Sequence, residues 1–275
     1  YMARLSRQVK ETIKIVAVVL VIGVLLFFYW IYPLNRAKAM WGRPDLDSYH
    51  SDSTLLMMND PSAFISPSMI VDTFRVESDG STSLACLYLH PLEHVSLRGT
   101  VLLVHSERSE RGSLRALARS LADSGFGVVV YDQRASGLST GKYHGDGRME
   151  AADLEAVIGY LGLHNQLTGP VIVAGWKLGA DAALAAATEE KRISAVLAVE
   201  PYLSSNRMID SYRAEFSGWW FPLYRTAIWF WYNARSSYGL EYLDADEVPA
   251  VACRTVLMVT EEQRQSSEIL SLSAK

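Results

Sequence analysis

Val171-Ile-Val-Ala-Gly-Trp-Lys-Leu-Gly-Ala-Asp-Ala-Ala-Leu184 changes its periodicity midway. A β-branched apolar run ends at Gly175, a tight turn follows, and an Ala-rich helix begins at once. That outline is a nucleophile elbow, the strand-turn-helix that presents a catalytic Ser in G-x-S-x-G. The turn needs its two glycines because strand and helix backbones nearly touch there, and Gly175 and Gly179 supply them. Between them, where a nucleophile belongs, stands Lys177.

Outward from this stretch, strand and helix patterns alternate. Residues 74–80 and 84–90 read as a hairpin, and 100–105 as a short buried strand followed by a helix over 113–124. Strands at 127–132, 170–176, 195–200 and 255–260 are interleaved with helices at 149–164 and 178–189. Right-handed βαβ crossovers then give an α/β fold with a mostly parallel, doubly wound sheet covered on both faces. An insertion at about 204–243 breaks the alternation. It carries Trp219, Trp220, Phe221, Tyr224, Trp229, Phe230, Trp231 and Tyr232. It reads either as a helical cap packed on the sheet or as a lid or docking face, with Trp219, Trp220, Trp229 and Trp231 its binding candidates.

The N-terminus carries a different signal. Residues 15–32 form an unbroken uncharged run of about eighteen residues, enough to span a bilayer as a helix. Arg4, Arg7, Lys10 and Lys14 precede it, Tyr29, Trp30 and Tyr32 crowd its far end, and Pro33 is expected to stop the helix. A cleaved signal peptide is the alternative, with Ala37-Lys38-Ala39 as its weak cleavage site. The length favours a single-pass anchor contacting the lipid bilayer through 15–32. The four basic residues before the span, against Arg36, Lys38 and Arg43 after it, favour a cytoplasmic N-terminus with the globular domain on the opposite side (periplasmic in a bacterium). The organisation expected is a basic segment 1–14, a transmembrane helix 15–33, a linker and wrap 34–71, and a globular domain 72–275.

A 49% hydrophobic content supports a sizeable core, and a net charge of −4 argues against nucleic acid as a partner. Cys86 and Cys253 lie in apolar surroundings and read as buried thiols rather than a disulfide framework. Histidines are scattered without metal-ligand spacing, so no metal and no cofactor is expected. Gly137, Gly141, Gly145 and Gly147 lack the G-K-[ST] ending of a phosphate loop.

Three segments in register resemble the α/β-hydrolase superfamily, particularly its membrane-anchored serine hydrolases, over residues 74–264. Val101-Leu-Leu-Val-His105 is similar to the strand and His that lead into the oxyanion loop. Tyr131-Asp-Gln-Arg-Ala-Ser-Gly-Leu-Ser-Thr-Gly141 is similar to the family's D-x-R-G-x-G-x-S-x-G loop, with Ala135 for its first Gly. Gly175-Trp-Lys-Leu-Gly179 falls at the elbow. The departures concern chemistry. The resemblance implies a Ser, Cys or Asp at 177, a Gly at Ser106, an acid where Arg264 stands (with Glu261 or Glu262 nearby as alternatives), and a late His base. This sequence has no His after His164.

A lysine at the elbow faces the positive end of a helix dipole, so a carboxylate partner is expected, with Glu107 or Glu200 in reach. The reading that follows is a membrane-anchored pseudo-hydrolase, an interaction or structural subunit with membrane-protein partners. Its rivals are an active hydrolase completed by residues beyond this sequence, a lysine-dependent enzyme, and a sensor using the old pocket for a ligand.

Overall fold

The computed structural model describes residues 7–42, 60–92, 96–145, 147–214, 221–235 and 255–259. They belong to two compact units: residues 1–40 with 208–238, and residues 41–207 with 239–275.

The first unit begins with α1 (Arg7–Leu26), a π-helical turn (Phe27–Ile31) and α2 (Tyr32–Trp41). Pro33 therefore does not stop the helix. A proline lacks the N–H for the ladder and crowds the preceding turn. The chain accommodates it by widening that turn to π geometry, in which the Tyr32 N–H reaches the Phe27 carbonyl. The stretch Arg7–Asn35 is long and apolar enough to cross a membrane, and none of its most apolar window is buried in protein.

In the second unit, β1 (Met69–Glu77) and β2 (Ser83–Pro91) form the hairpin; β1 starts earlier than its sequence suggests. A 3₁₀ turn, Pro61–Phe64, precedes it, capped by the Asp60 carboxylate on the Ser62 N–H at 2.8 Å. The order continues with β3 (Thr100–Val104), α3 (Arg115–Asp123), β4 (Gly127–Tyr131), α4 (Arg148–Leu163), β5 (Val171–Trp176), α5 (Leu178–Glu189) and β6 (Ile193–Val199). Helix α6 (Ser205–Ser211) and then α7 (Phe221–Arg235) follow, the latter in the first unit, and β7 (Thr255–Val259) is the last strand among the described residues. The seven strands lie in the order β1-β2-β4-β3-β5-β6-β7. The β1–β2 and β2–β4 pairs are antiparallel and the remainder parallel.

Strand periodicity divides the core into two faces. Leu102, Val104, Val129, Tyr131 and Val173 face α4 and α5, packing on Leu154, Ile158, Leu161, Ala180 and Leu184. Val101, Leu103, Val128, Val130 and Ala174 face the other way, onto Ala118 and Ala122 of α3. The central strands are buried along their whole length, as continuous apolar runs in a two-sided sheet must be. The parallel register aligns Val104 with Gly175 and Gly175 with Ala198, so β3, β5 and β6 end together at one rim of the sheet.

Cys86 is a buried free thiol, pushed above the usual range by desolvation. Cys253, Arg264, Trp219, Trp220, the Trp231 side chain and the segment after Val259 lie outside the described residues.

Candidate functional site

At the rim where those three strands end, Lys177 reverses the chain in one residue. Its N–H continues the ladder to the Val199 carbonyl at 2.9 Å. Its own carbonyl accepts from Ala180 and Asp181 N–H at 2.9 and 3.0 Å, opening α5. The backbone reaches this through φ 51° and ψ −115°, a region that disfavours any side chain. The elbow therefore keeps its strain with a lysine at the apex.

Both flanking glycines are obligatory. A Cβ on Gly175 would collide with the Gly179 carbonyl oxygen, and one on Gly179 with the carbonyl oxygens of His105 and Val104. Strand β5, helix α5 and the end of β3 are in contact here without room for a methyl group.

Lys177 is half-buried and, among the described residues, makes no ion pair. The expected bridge to Glu107 or Glu200 does not form. Glu107 is buried and takes other partners. Its Oε1 accepts from the Tyr202 hydroxyl at 2.5 Å, and its Oε2 from the Leu178 N–H in a long hydrogen bond of 3.4 Å. The physical reason is competition. The free N–H groups and dipole of a helix N-terminus, together with a phenol, already satisfy this carboxylate.

The bond to Leu178 has a chemical meaning. In the elbow motif the N–H of the residue after the nucleophile is one donor of the oxyanion hole, and the loop after the neighbouring strand supplies the other. Glu107 lies in that loop, and its carboxylate sits against the first donor.

His105 is fully buried. Gln133 N–H donates to its Nε2 at 2.9 Å, so the proton resides on Nδ1, which donates to the Ser106 carbonyl at 2.7 Å. Burial lowers its pKa from the usual imidazole value and favours the neutral ring. The Gln133 amide closes the loop onto the His105 carbonyl. Thus His105 braces the loop that carries Ser106 and Glu107.

The loop after β4 is equally structural. Asp132 accepts from Arg111 N–H at 2.9 Å and Leu138 N–H at 3.0 Å. Arg134 grips Asp153 at 2.6 and 2.7 Å, both side chains buried, and reaches Asp79 at 3.3 Å. Ala135 takes φ 57°, the left-handed region that a glycine would enter without strain. Among the described residues no group of three or more His, Cys, Asp and Glu side chains is arranged to hold a metal ion.

Two groups here were not anticipated from sequence. Tyr202 locks Glu107. Asp181, buried on α5, accepts from Leu203 N–H at 3.0 Å with Oδ1, while its Oδ2 has no hydrogen-bond partner among the described residues. Burial pushes its carboxyl up to about 8, opposed by the Leu203 and Tyr202 N–H groups and reinforced by Glu107 and Glu150. It is a neutral acid near pH 7. The visible signal was an acid in the Ala-rich first turn of the helix, Ala180-Asp181-Ala182.

Comparison with solved structures agrees with this architecture. An esterase from Pyrococcus furiosus superposes with a TM-score of 0.58 at 19% identity, covering 75% of this chain and 77% of the other. An α/β hydrolase from Penicillium sp. sh18 gives 0.54 at 16% identity, covering 74% and 86%. At such identities the likeness establishes the fold alone. No curated protein matches the sequence significantly. The sequence profile described as "Serine aminopeptidase, S33" matches residues 95–244, more than half the chain, from just before β3 to beyond α7. On that match, and with an α/β-hydrolase sheet beneath it, the chain belongs to the serine aminopeptidase S33 family.

Proposed function

We propose that this protein is a membrane-anchored pseudo-hydrolase, an interaction or structural subunit of a membrane complex built on an α/β-hydrolase frame. One observation carries the reading: the elbow apex is Lys177, while the Glu107 carboxylate rests on the Leu178 N–H. An amine at that apex offers no hydroxyl or thiol for acyl transfer. A substrate oxyanion entering the same hole would meet a fixed carboxylate. At 4 Å and an effective dielectric constant of 20, that repulsion is roughly 4 kcal/mol, about a thousandfold in rate. The apolar helix Arg7–Asn35, whose most apolar window is unburied, supports the anchor reading over a buried core helix. The N-terminal basic residues support a cytoplasmic N-terminus.

The test is nucleophile restoration. Lys177→Ser returns the hydroxyl but leaves Glu107 in the hole, so both the variant and the parent should hydrolyse p-nitrophenyl esters no faster than Lys177→Ala. Parent turnover that Lys177→Ala abolishes would refute the pseudo-enzyme reading. As a subunit, the detergent-extracted protein should migrate in a complex larger than its 30.6 kDa chain and micelle.

A second reading has its own observation. Lys177 has no ion-pair partner among the described residues, which suits an amine displayed to a ligand. Carbonyl ligands would then be trapped on Lys177 by borohydride, with the adduct lost in Lys177→Arg.

A further inference from the structure

The first unit joins two segments far apart in sequence, the N-terminal helix and the aromatic insertion. Within it, Trp30 of the π turn meets Phe230 of α7 edge-to-face, with centroids 5.5 Å apart and planes at 87°. Among the described side chains of α7, the exposed positions are not scattered. Pro222, Thr226, Trp229 and Phe230 are exposed, a spacing of i, i+4, i+7 and i+8 that defines one helix face. Phe221, Ala227 and Ile228 are buried.

A helix on an aqueous surface shows charge outward and apolar groups inward. This outward face carries no charge at all. Trp229 is 43% exposed and Phe230 46%, and the one described basic side chain of α7, Arg225, pairs with Asp210 at 2.7 Å. The apolar exposure is continuous with that of the N-terminal helix, where Leu20, Leu25, Phe27, Phe28, Trp30 and Ile31 are all exposed. Tyr29 and Trp30 stand at the end of the span, where aromatic rings favour the boundary between headgroups and acyl chains.

From this continuity we infer that α7 is an interfacial helix. Its Pro222–Thr226–Trp229–Phe230 face lies in the headgroup–acyl boundary of the bilayer, beside the aromatic end of the anchor. The occupant of the face is lipid. The insertion thus works as a second membrane contact, holding the first unit at the bilayer surface by burial of aromatic area. This rests on the anchor reading above, and the experiment separates the two.

The full-length chain, in a Cys253→Ser background with Cys86 buried, takes an NBD fluorophore at Trp229→Cys, at Thr226→Cys or at Leu20→Cys. Each is reconstituted into phosphatidylcholine–phosphatidylglycerol vesicles containing lipids nitroxide-labelled at the headgroup or deep in the acyl chain. The inference expects position 229 to be quenched several-fold more by the shallow nitroxide than by aqueous iodide, with position 226 agreeing. It expects position 20 to be quenched by the deep nitroxide. Iodide quenching at 226 and 229 without lipid quenching, while position 20 remains deep, overturns the interfacial helix and leaves the anchor standing. Protection at 229 from both quenchers means that a second copy covers the face, and overturns it too. Absence of lipid quenching at position 20 removes the anchor reading, and the inference with it.

Discussion

Three side chains around the elbow decide its chemistry. Lys177 stands at its apex, Glu107 accepts from the Leu178 N–H and the Tyr202 hydroxyl, and burial raises the Asp181 carboxyl to about 8. The last has a measurable consequence. The unfolded chain releases the Asp181 proton near the ordinary value of 3.8, whereas the folded chain holds it until about 8. Between those values the folded state binds more protons than the unfolded one, so stability falls as pH rises; below the window both forms are protonated and nothing is lost. Glu150, raised to about 7 by burial against the pull of Arg134, adds to the same slope. Asp181→Asn keeps an acceptor for the Leu203 N–H and removes the proton. The parent's Tm should fall by roughly 10 °C or more between pH 5 and pH 8, and the variant's by clearly less. Equal slopes would show that Asp181 ionises normally. The acid among alanines was visible in the sequence. Its neutral state was not, because that depends on burial and on Glu107 and Glu150, which arrive from other elements.

At the scale of the element, the elbow is the part most legible in advance. A β-branched run, Gly175, Gly179 and an Ala-rich continuation permit only a strand turned sharply into a helix. The positive φ at Lys177 and the blocked Cβ positions at both glycines are the physical content of that pattern. Gly179→Ala should therefore destabilise well beyond the ~1 kcal/mol typical of point substitutions, with 4 kcal/mol or more expected. It would force β3, β5 and α5 apart, and should appear as loss of folded protein on extraction; a Tm within 2 °C of the parent would contradict the packing. The Lys177 ion pair was misjudged for a reason at the same scale. Strand order correctly placed Glu107 near the elbow, but a carboxylate chooses among donors, and a helix N-terminus with a phenol suited it better. Pro33 was misjudged likewise, since a π turn lets one helix pass a proline that would ordinarily end it.

For the whole molecule, the strand order and the family match give a hydrolase frame, the N-terminus gives a long apolar helix, and the fold was largely readable from alternation and from three motifs in register. What the sequence could not convey was which insertion belongs with which segment. The grouping of residues 208–238 with the N-terminal helix is a contact between distant parts of the chain that no local period records. The account as a whole holds that the frame persists without its acyl-transfer chemistry. Incubation of the full-length protein in native membranes with a fluorophosphonate probe tests this most directly, because the probe reports a working nucleophile without requiring knowledge of the substrate. No covalent label above a heat-denatured control is expected, at Lys177 or at any Ser. A saturable adduct that survives denaturing gels and maps by peptide mass spectrometry to a serine of this chain would contradict it.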